Sequence, residues 1–119
     1  MNFKLLLIIA ITTSLIACGG ADERKAVYLE KAKVSIAAGD LDKARIELKN
    51  VLQIDPKDAD AFYQLGKVYE QQQEYRKAYQ HYLKAEKLNP ELLQNQAKLG
   101  RFYLLLMNDK VKAQEKIDL

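Results

Sequence analysis

The chain has 119 residues, of which 49% are apolar and 29% are charged, and this length suits one ordinary domain. Because the formal net charge is only +3 and the two signs are interleaved, neither a basic nucleic-acid-binding tail nor an acidic disordered tail is predicted. Beyond residue 17 the chain has one Cys, one Ser, one His and no Thr. We therefore do not expect an enzyme built on nucleophilic or metal chemistry.

The first predicted element, residues 1–17, has the layout of a secretory signal peptide. Lys4 precedes a mostly apolar stretch over 5–17, which is shorter than the roughly 20 apolar residues that a membrane span needs. The alternative is a hydrophobic first helix with a buried cysteine, because free Cys favours apolar sites. The single Cys excludes a disulfide within the chain.

Leu15, Ile16, Ala17 and Cys18 resemble the bacterial lipobox, in which a cysteine thiol is alkylated by diacylglycerol and the preceding peptide bond is cut. The resemblance implies a mature protein that begins at lipidated Cys18, and two or more acyl chains give stable anchoring. Residues 18–24 are expected to form a short flexible tether. In such lipoproteins an aspartate directly after the lipidated Cys would favour retention in the inner membrane. Gly19 occupies that position here, so the resemblance implies a lipoprotein of the outer membrane that faces the periplasm.

The rest of the chain repeats with a period of 34 residues. Pairs at this offset include Ala44 with Ala78, Leu65 with Leu99, Gly66 with Gly100, Tyr69 with Tyr103, and Asp55-Pro56 with Asn89-Pro90. A fixed period of this size indicates a solenoid, and apolar steps of three and four within each period indicate helices. The spacing and the breaks between apolar runs predict helices over 23–38, 41–54, 59–72, 75–88, 92–106 and 110–118.

One whole unit resembles the tetratricopeptide repeat (TPR) family. The matching residues are Phe62, Leu65, Gly66, Tyr69, Ala78, Tyr82, Ala85 and Pro90. The resemblance implies an all-α solenoid of about three helix-turn-helix repeats, with an ordinary helical hairpin bundle as the alternative. In it, small Gly66 and Ala78 let two helices approach, and Phe62, Tyr69 and Tyr82 are expected to fill the space between units.

The three units are unequal. The first, over 25–58, is degenerate because Lys31 and Ser35 occupy the places of later Leu and Tyr residues; the second covers 59–92. The third, over 93–119, is incomplete and has no polar capping helix after it. This predicts the N-terminal part of a longer repeat protein or of a truncated reading frame.

Residues 44–53 and the following Asp55-Pro56, just after a lipobox, resemble the start of the TPR lipoproteins of exosortase (PEP-CTERM) exopolysaccharide systems. The resemblance implies a non-catalytic scaffold without cofactors that serves export of polysaccharide or surface proteins. Two alternatives stay open. The chain could be the anchoring arm of an enzyme whose catalytic domain lies beyond Leu119, or a structural subunit of a pilus or outer-membrane assembly machine.

Stacked helix pairs leave a concave groove lined by the first helix of each unit, and the family resemblance implies a protein or peptide ligand there. The predicted groove residues are Leu29, Lys33, Ile36, Tyr63, Lys67, Glu70, Ala97, Arg101 and Leu104. Among them Lys33, Lys67 and Arg101 recur every 34 residues, and we call this column the cationic ladder. It favours an acidic peptide, with solvated surface charge as the alternative. The asparagines of carboxylate-clamp relatives are absent, so that activity is not expected.

Other candidate residues have structural explanations. His81 is a lone imidazole that we expect to pack or face solvent. Asp55, Asp58 and Asp60 lie where a helix begins, and aspartates there satisfy free amides and the helix dipole. The tyrosines recur at helical spacing and are expected in the core. No metal site is predicted.

Overall fold

The computed structural model describes residues 3–105, 108, 112, 115 and 116, and side chains from residue 20 onward. In this part of the chain there are helices and turns but no strand. The five helices are α1 (Phe3–Ala38), α2 (Leu41–Ile54), α3 (Ala59–Gln71), α4 (Tyr75–Leu88) and α5 (Leu93–Leu105). The helix predicted over 110–118 lies largely outside the described residues.

α1 begins much earlier than predicted. It runs from Phe3 to Ala38 without a break, so 18–24, the predicted flexible tether, is helical in this uncleaved chain. Two adjacent glycines cost about 1 kcal/mol each relative to alanine in a helix. The segment has no proline, however, and strong helix formers stand on both sides, so the helix propagates through the glycines.

Short turns fold the helices into two hairpins, α1–α2 and α3–α4. Gly39, in the first turn, has φ of +79° and its N–H donates to the carbonyl of Ile36 at 3.1 Å. Gln73 lies 34 residues later and adopts the same left-handed conformation, with φ of +62°. A residue with a side chain accepts strain in this region, which shows that the turn geometry is kept from one unit to the next.

Two hydrophobic clusters lie along the stack. The first joins α1, α2 and α3 through buried Ala32, Ile36, Ala44, Leu48, Val51, Ala61 and Val68. The second joins α4 and α5 through buried Ala78, Tyr82, Leu99, Phe102 and Tyr103. Tyr63 and Tyr69 of α3 pack against the second cluster, so α3 contributes to both. The prediction of an all-α repeat solenoid is confirmed.

The helices of the α3–α4 hairpin approach closely at Gly66. A Cβ built on Gly66 would lie within 2.9 Å of three ring atoms of Tyr82, a distance that real Cβ atoms do not tolerate. Ala78 is fully buried in the same hairpin. The predicted role of Gly66 is confirmed, and the burial of Ala78 is consistent with its predicted role.

Ion pairs join α1 to the start of α3. Lys25 Nζ lies 3.1 Å from a carboxylate oxygen of both Asp55 and Asp58, and Lys33 Nζ lies 2.9 Å from Asp60. Hydrogen bonds to Asp55 and Asp58 raise the pKa of Lys25, and the bond from Lys25 lowers the pKa of Asp55. These contacts fix the first unit against the second. Among the described residues, no helix has the length and apolar character that crossing a membrane requires.

Candidate functional site

A pocket of about 440 Å³ lies between α3 and α5, the first helices of the second and third units. We call it the α3–α5 pocket. Its lining residues are Lys67, Glu70, Gln71, Tyr75, Lys98, Arg101, Phe102 and Leu105. The volume is within the ~300–1,000 Å³ of ordinary ligand sites. The described lining residues include three cations and one carboxylate, so together they carry a net positive charge.

Glu70, the one carboxylate among the described lining residues, already accepts hydrogen bonds within the protein. Its Oε2 accepts a 2.5 Å hydrogen bond from the Tyr82 hydroxyl and a 2.8 Å bond from Lys98 Nζ. Burial disfavours the charged form of Glu70, but the hydrogen bonds from Lys98 and Tyr82, together with the charges of Lys98 and Arg101, outweigh it and lower the pKa. Burial and the bond to Glu70 raise the pKa of Tyr82. Glu70 therefore stays ionised at neutral pH and neutralises Lys98.

Lys67 and Arg101 have no such neutralisation. Within the described part of the chain, neither has a carboxylate oxygen within 4 Å, although Arg101 is close enough to Glu70 to help lower its pKa. Lys67 Nζ lies 5.8 Å from the ring centroid of Tyr63, a weak cation–π distance. Two cations are thus available to a ligand from opposite walls of the pocket.

The cationic ladder is only partly assembled. Lys67 and Arg101 share the α3–α5 pocket, as the 34-residue period predicts. Lys33, the first member, instead forms its ion pair with Asp60 across α1 and α3. Position 94, one period after Asp60, is Gln94, which cannot neutralise Lys67 as Asp60 neutralises Lys33. Among the described residues, Lys33 is thus paired and Lys67 is not, and the sequence differs between them at this position.

The other predicted groove residues divide into exposed and packed sets. Ala97 and Leu104 are exposed on α5. Leu29 packs partly against the first cluster, and Tyr63 packs against the second, its ring centroid 5.9 Å from that of Tyr82. Ile36 is only 3% exposed in the first cluster, so the structure places it in the core rather than in the groove.

Several lining residues were not predicted from the sequence. Lys98 is the most important of them because it binds Glu70, and Phe102, Tyr75 and Leu105 supply the apolar wall. Lys98 follows Gln64 at the 34-residue offset, so its column has no repeated charge. Buried Asn95 was also missed; its Nδ2 donates to the carbonyl of Tyr82 at 2.8 Å and ties α5 to α4.

The acidic residues and the histidine have structural contacts. Asp58 caps α3 by accepting the Ala61 N–H at 2.8 Å, and Asp60 accepts from Gln64. The described residues contain no group of three or more His, Cys, Asp or Glu side chains that could hold a metal ion. The ring of His81 lies 4.9 Å from that of Tyr69 and 6.3 Å from that of Phe62.

The expected packing between units is seen in part. Phe62 and Tyr69 contact His81 of α4, inside their own hairpin, and Tyr69 also packs against the second cluster, which includes α5 residues. Tyr82 does reach the next unit, because its ring centroid lies 5.6 Å from that of Phe102 on α5. Most tyrosines of α3 and α4 thus support the predicted core role rather than an exposed aromatic platform.

Fold and groove define the class as a helical repeat protein with an open binding face. A family model described as "TPR repeat" matches residues 32–73, and one described as "Tetratricopeptide repeat" matches 59–92. The chain is therefore a tetratricopeptide repeat protein. Such repeats generally bind protein or peptide partners and are typically non-catalytic. A search of curated proteins found no match to the chain.

Proposed function

We propose that this protein is a lipid-anchored tetratricopeptide scaffold that holds protein partners at the periplasmic side of a bacterial membrane. The observation on which the scaffold depends is the α3–α5 pocket, an open and positively charged surface on a repeat fold that binds proteins. We place it in the outer membrane and in the export of exopolysaccharide or surface proteins, by its resemblance to exosortase-system lipoproteins.

The lipid anchor is part of the same proposal, and the argument for it comes from the sequence. Cys18 ends the lipobox-like Leu15–Cys18 segment, and its side chain lies outside the described ones. Lys25, which is paired to Asp55 and Asp58, follows Cys18 by seven residues. A helix rises 1.5 Å per residue, so a lipid on Cys18 would hold the first unit about 10 Å from the anchoring sulfur. The scaffold would then work close to the membrane surface.

Labelling with an alkyne fatty acid in growing bacteria tests the anchor. The wild-type chain should incorporate the label and fractionate with outer membranes, and Cys18→Ser should do neither. Cys18→Ser combined with Ser35→Cys restores one thiol at a buried position and should stay unlabelled. An unlabelled wild-type chain would overturn the anchor, and label in Cys18→Ser would show that acylation does not use this thiol.

Loss of the gene tests the proposed process. Deletion should reduce secreted polysaccharide or surface-exposed protein, and the wild-type gene should restore it. If the Cys18→Ser variant restored secretion at equal abundance, export would not require the lipid anchor. Unchanged secretion in the deletion strain would show that export does not require this protein.

A further inference from the structure

The α3–α5 pocket combines two kinds of recognition surface. Lys67 on α3 and Arg101 on α5 are cations without an ion-pair partner in the described part of the chain. Phe102, Tyr75 and Leu105 form an apolar wall beside them, with Leu105 66% exposed and Tyr75 46% exposed. A ligand that satisfies the whole pocket must bring a negative group and an apolar group together.

The internal geometry indicates where the negative group would bind. Glu70 Oε2 accepts hydrogen bonds from Lys98 Nζ at 2.8 Å and from the Tyr82 hydroxyl at 2.5 Å, so an incoming anion would have to displace this half-buried carboxylate to reach Lys98. Lys67 and Arg101 need no such exchange. An anion can bind to them while the Tyr82–Glu70–Lys98 network stays intact.

The cation of the first unit has an ion-pair partner that the cation of the second unit lacks among the described residues. Lys33 is neutralised by Asp60 at 2.9 Å, whereas the residue one 34-residue period after Asp60 is the neutral Gln94. The described part of the chain thus supplies a carboxylate at one end of the ladder and none at the other, where an external carboxylate could bind. This charge complementarity selects an acidic ligand over a basic or neutral one.

We propose that the α3–α5 pocket binds a peptide segment in which a carboxylate stands next to an aromatic or aliphatic side chain. The carboxylate accepts hydrogen bonds from Lys67 and Arg101, and the apolar side chain packs on Phe102, Tyr75 and Leu105. The proposal rests on the proposed scaffold function and names the chemistry of the partner. Lys33 takes no part in binding.

A matched peptide pair tests this with the full chain in non-ionic detergent. The probe is a ten-residue rhodamine-labelled peptide with blocked ends and two Asp residues flanking one Phe; its twin has Asn in place of each Asp. Fluorescence anisotropy should show at least about tenfold tighter binding of the acidic peptide, because charge-assisted hydrogen bonds are about twice as strong as neutral ones. The difference should shrink as salt is added.

Three variants locate the site. Lys67→Gln and Arg101→Gln should each weaken binding of the acidic peptide about three- to tenfold and leave the Asn twin unaffected. Lys33→Gln is the control, since it removes a cation of the same column that is already paired, and binding should change less than twofold. Circular dichroism should show equal helicity in all three.

Equal binding of the two peptides, no binding of either at 1 mM, or an equal effect of Lys33→Gln would overturn the proposal. The scaffold function fails in a different way, when crosslinking in intact cells captures no protein partner on the wild-type chain. Capture that is unchanged in the Lys67→Gln, Arg101→Gln double variant would leave the scaffold standing and remove this pocket as its binding site.

Discussion

Because Gly66 has only a hydrogen atom as its side chain, α3 and α4 can pack closely at this residue. The space that a Cβ would need is filled by the ring of Tyr82, which is fully buried and contacts Phe102 of the next unit. Protein interiors are packed so densely that such a ring cannot shift without moving its neighbours. A larger side chain at Gly66 should therefore disturb the packing of two units at once.

We expect Gly66→Ala to lower the free energy of unfolding by about 1–3 kcal/mol, the usual cost of overpacking. Urea unfolding followed by circular dichroism measures it. Gly20→Ala is the matched control, because no atom lies within 4 Å of a Cβ there and helix propensity alone should make the change neutral or stabilising. If Tyr82→Leu fails to reduce the cost of Gly66→Ala, the clash is not with this ring.

Glu70 should link stability to acid pH. Its pKa lies below the unfolded value of 4.5, since the bonds from Lys98 and Tyr82 outweigh the effect of burial. A carboxylate with a lowered pKa stabilises the fold above the unfolded pKa, and that contribution is lost as the pH falls through the folded pKa.

Urea midpoints measured from pH 6 down to pH 3 should thus fall more steeply for the wild-type chain than for Glu70→Gln, mainly below 4.5. Glu91→Gln alters an exposed carboxylate in the turn before α5 and should follow the wild-type curve. Parallel curves for wild type and Glu70→Gln would show that the buried network does not hold this charge.

At the scale of elements, the start of α3 is where capping and ion pairing meet. Asp58 accepts the Ala61 N–H at 2.8 Å and also pairs with Lys25 at 3.1 Å. Its side chain is only 10% exposed, so both interactions are sheltered from water. The first unit and the second are joined at this residue.

Asp58→Ala should cost about 1–2 kcal/mol, the range for loss of a helix N-cap. Asp58→Asn keeps a capping oxygen and should cost less, about 0–1 kcal/mol, because Lys25 retains Asp55. Chemical denaturation at pH 7 compares the two. An equal loss for Asn and Ala would assign the stabilisation to the ion pair instead of the cap.

The sequence predicted those elements that have break signals at both ends. The bounds of α2 and α4 agree with the predicted 41–54 and 75–88, since a turn or Asp-Pro or Asn-Pro pair limits each. α1 was predicted to start too late because two glycines weaken a helix without ending it. Local propensity could not decide whether the helix crosses them.

The site was harder to predict than the fold. A 34-residue column correctly brought Lys67 and Arg101 together, but it also assigned buried Ile36 to the groove, since the period treats a degenerate unit like a regular one. Lys98 was missed because its partner, Glu70, is 28 residues away, so the two belong to different 34-residue columns. Contacts between helices of different units follow from packing, not from the period.

At the scale of the whole molecule, stacking leaves α3 and α5 side by side and open. The same repeats that build the two cores also place Lys67 and Arg101 on facing walls of one pocket. A scaffold needs such a rigid surface, because helices locked by packing hold the binding groups in place before a partner arrives. We therefore propose that partners bind on this face.

A photo-crosslinking amino acid placed at Leu105 and, in a second strain, at Ile46 tests that claim in living cells. The two positions are almost equally exposed, at 66% and 63%, but only Leu105 lines the α3–α5 pocket. Illumination should give discrete crosslinked protein partners from position 105 and none of these from position 46. The same products from both positions, or none from position 105, would contradict the assignment of the α3–α5 face as the binding surface.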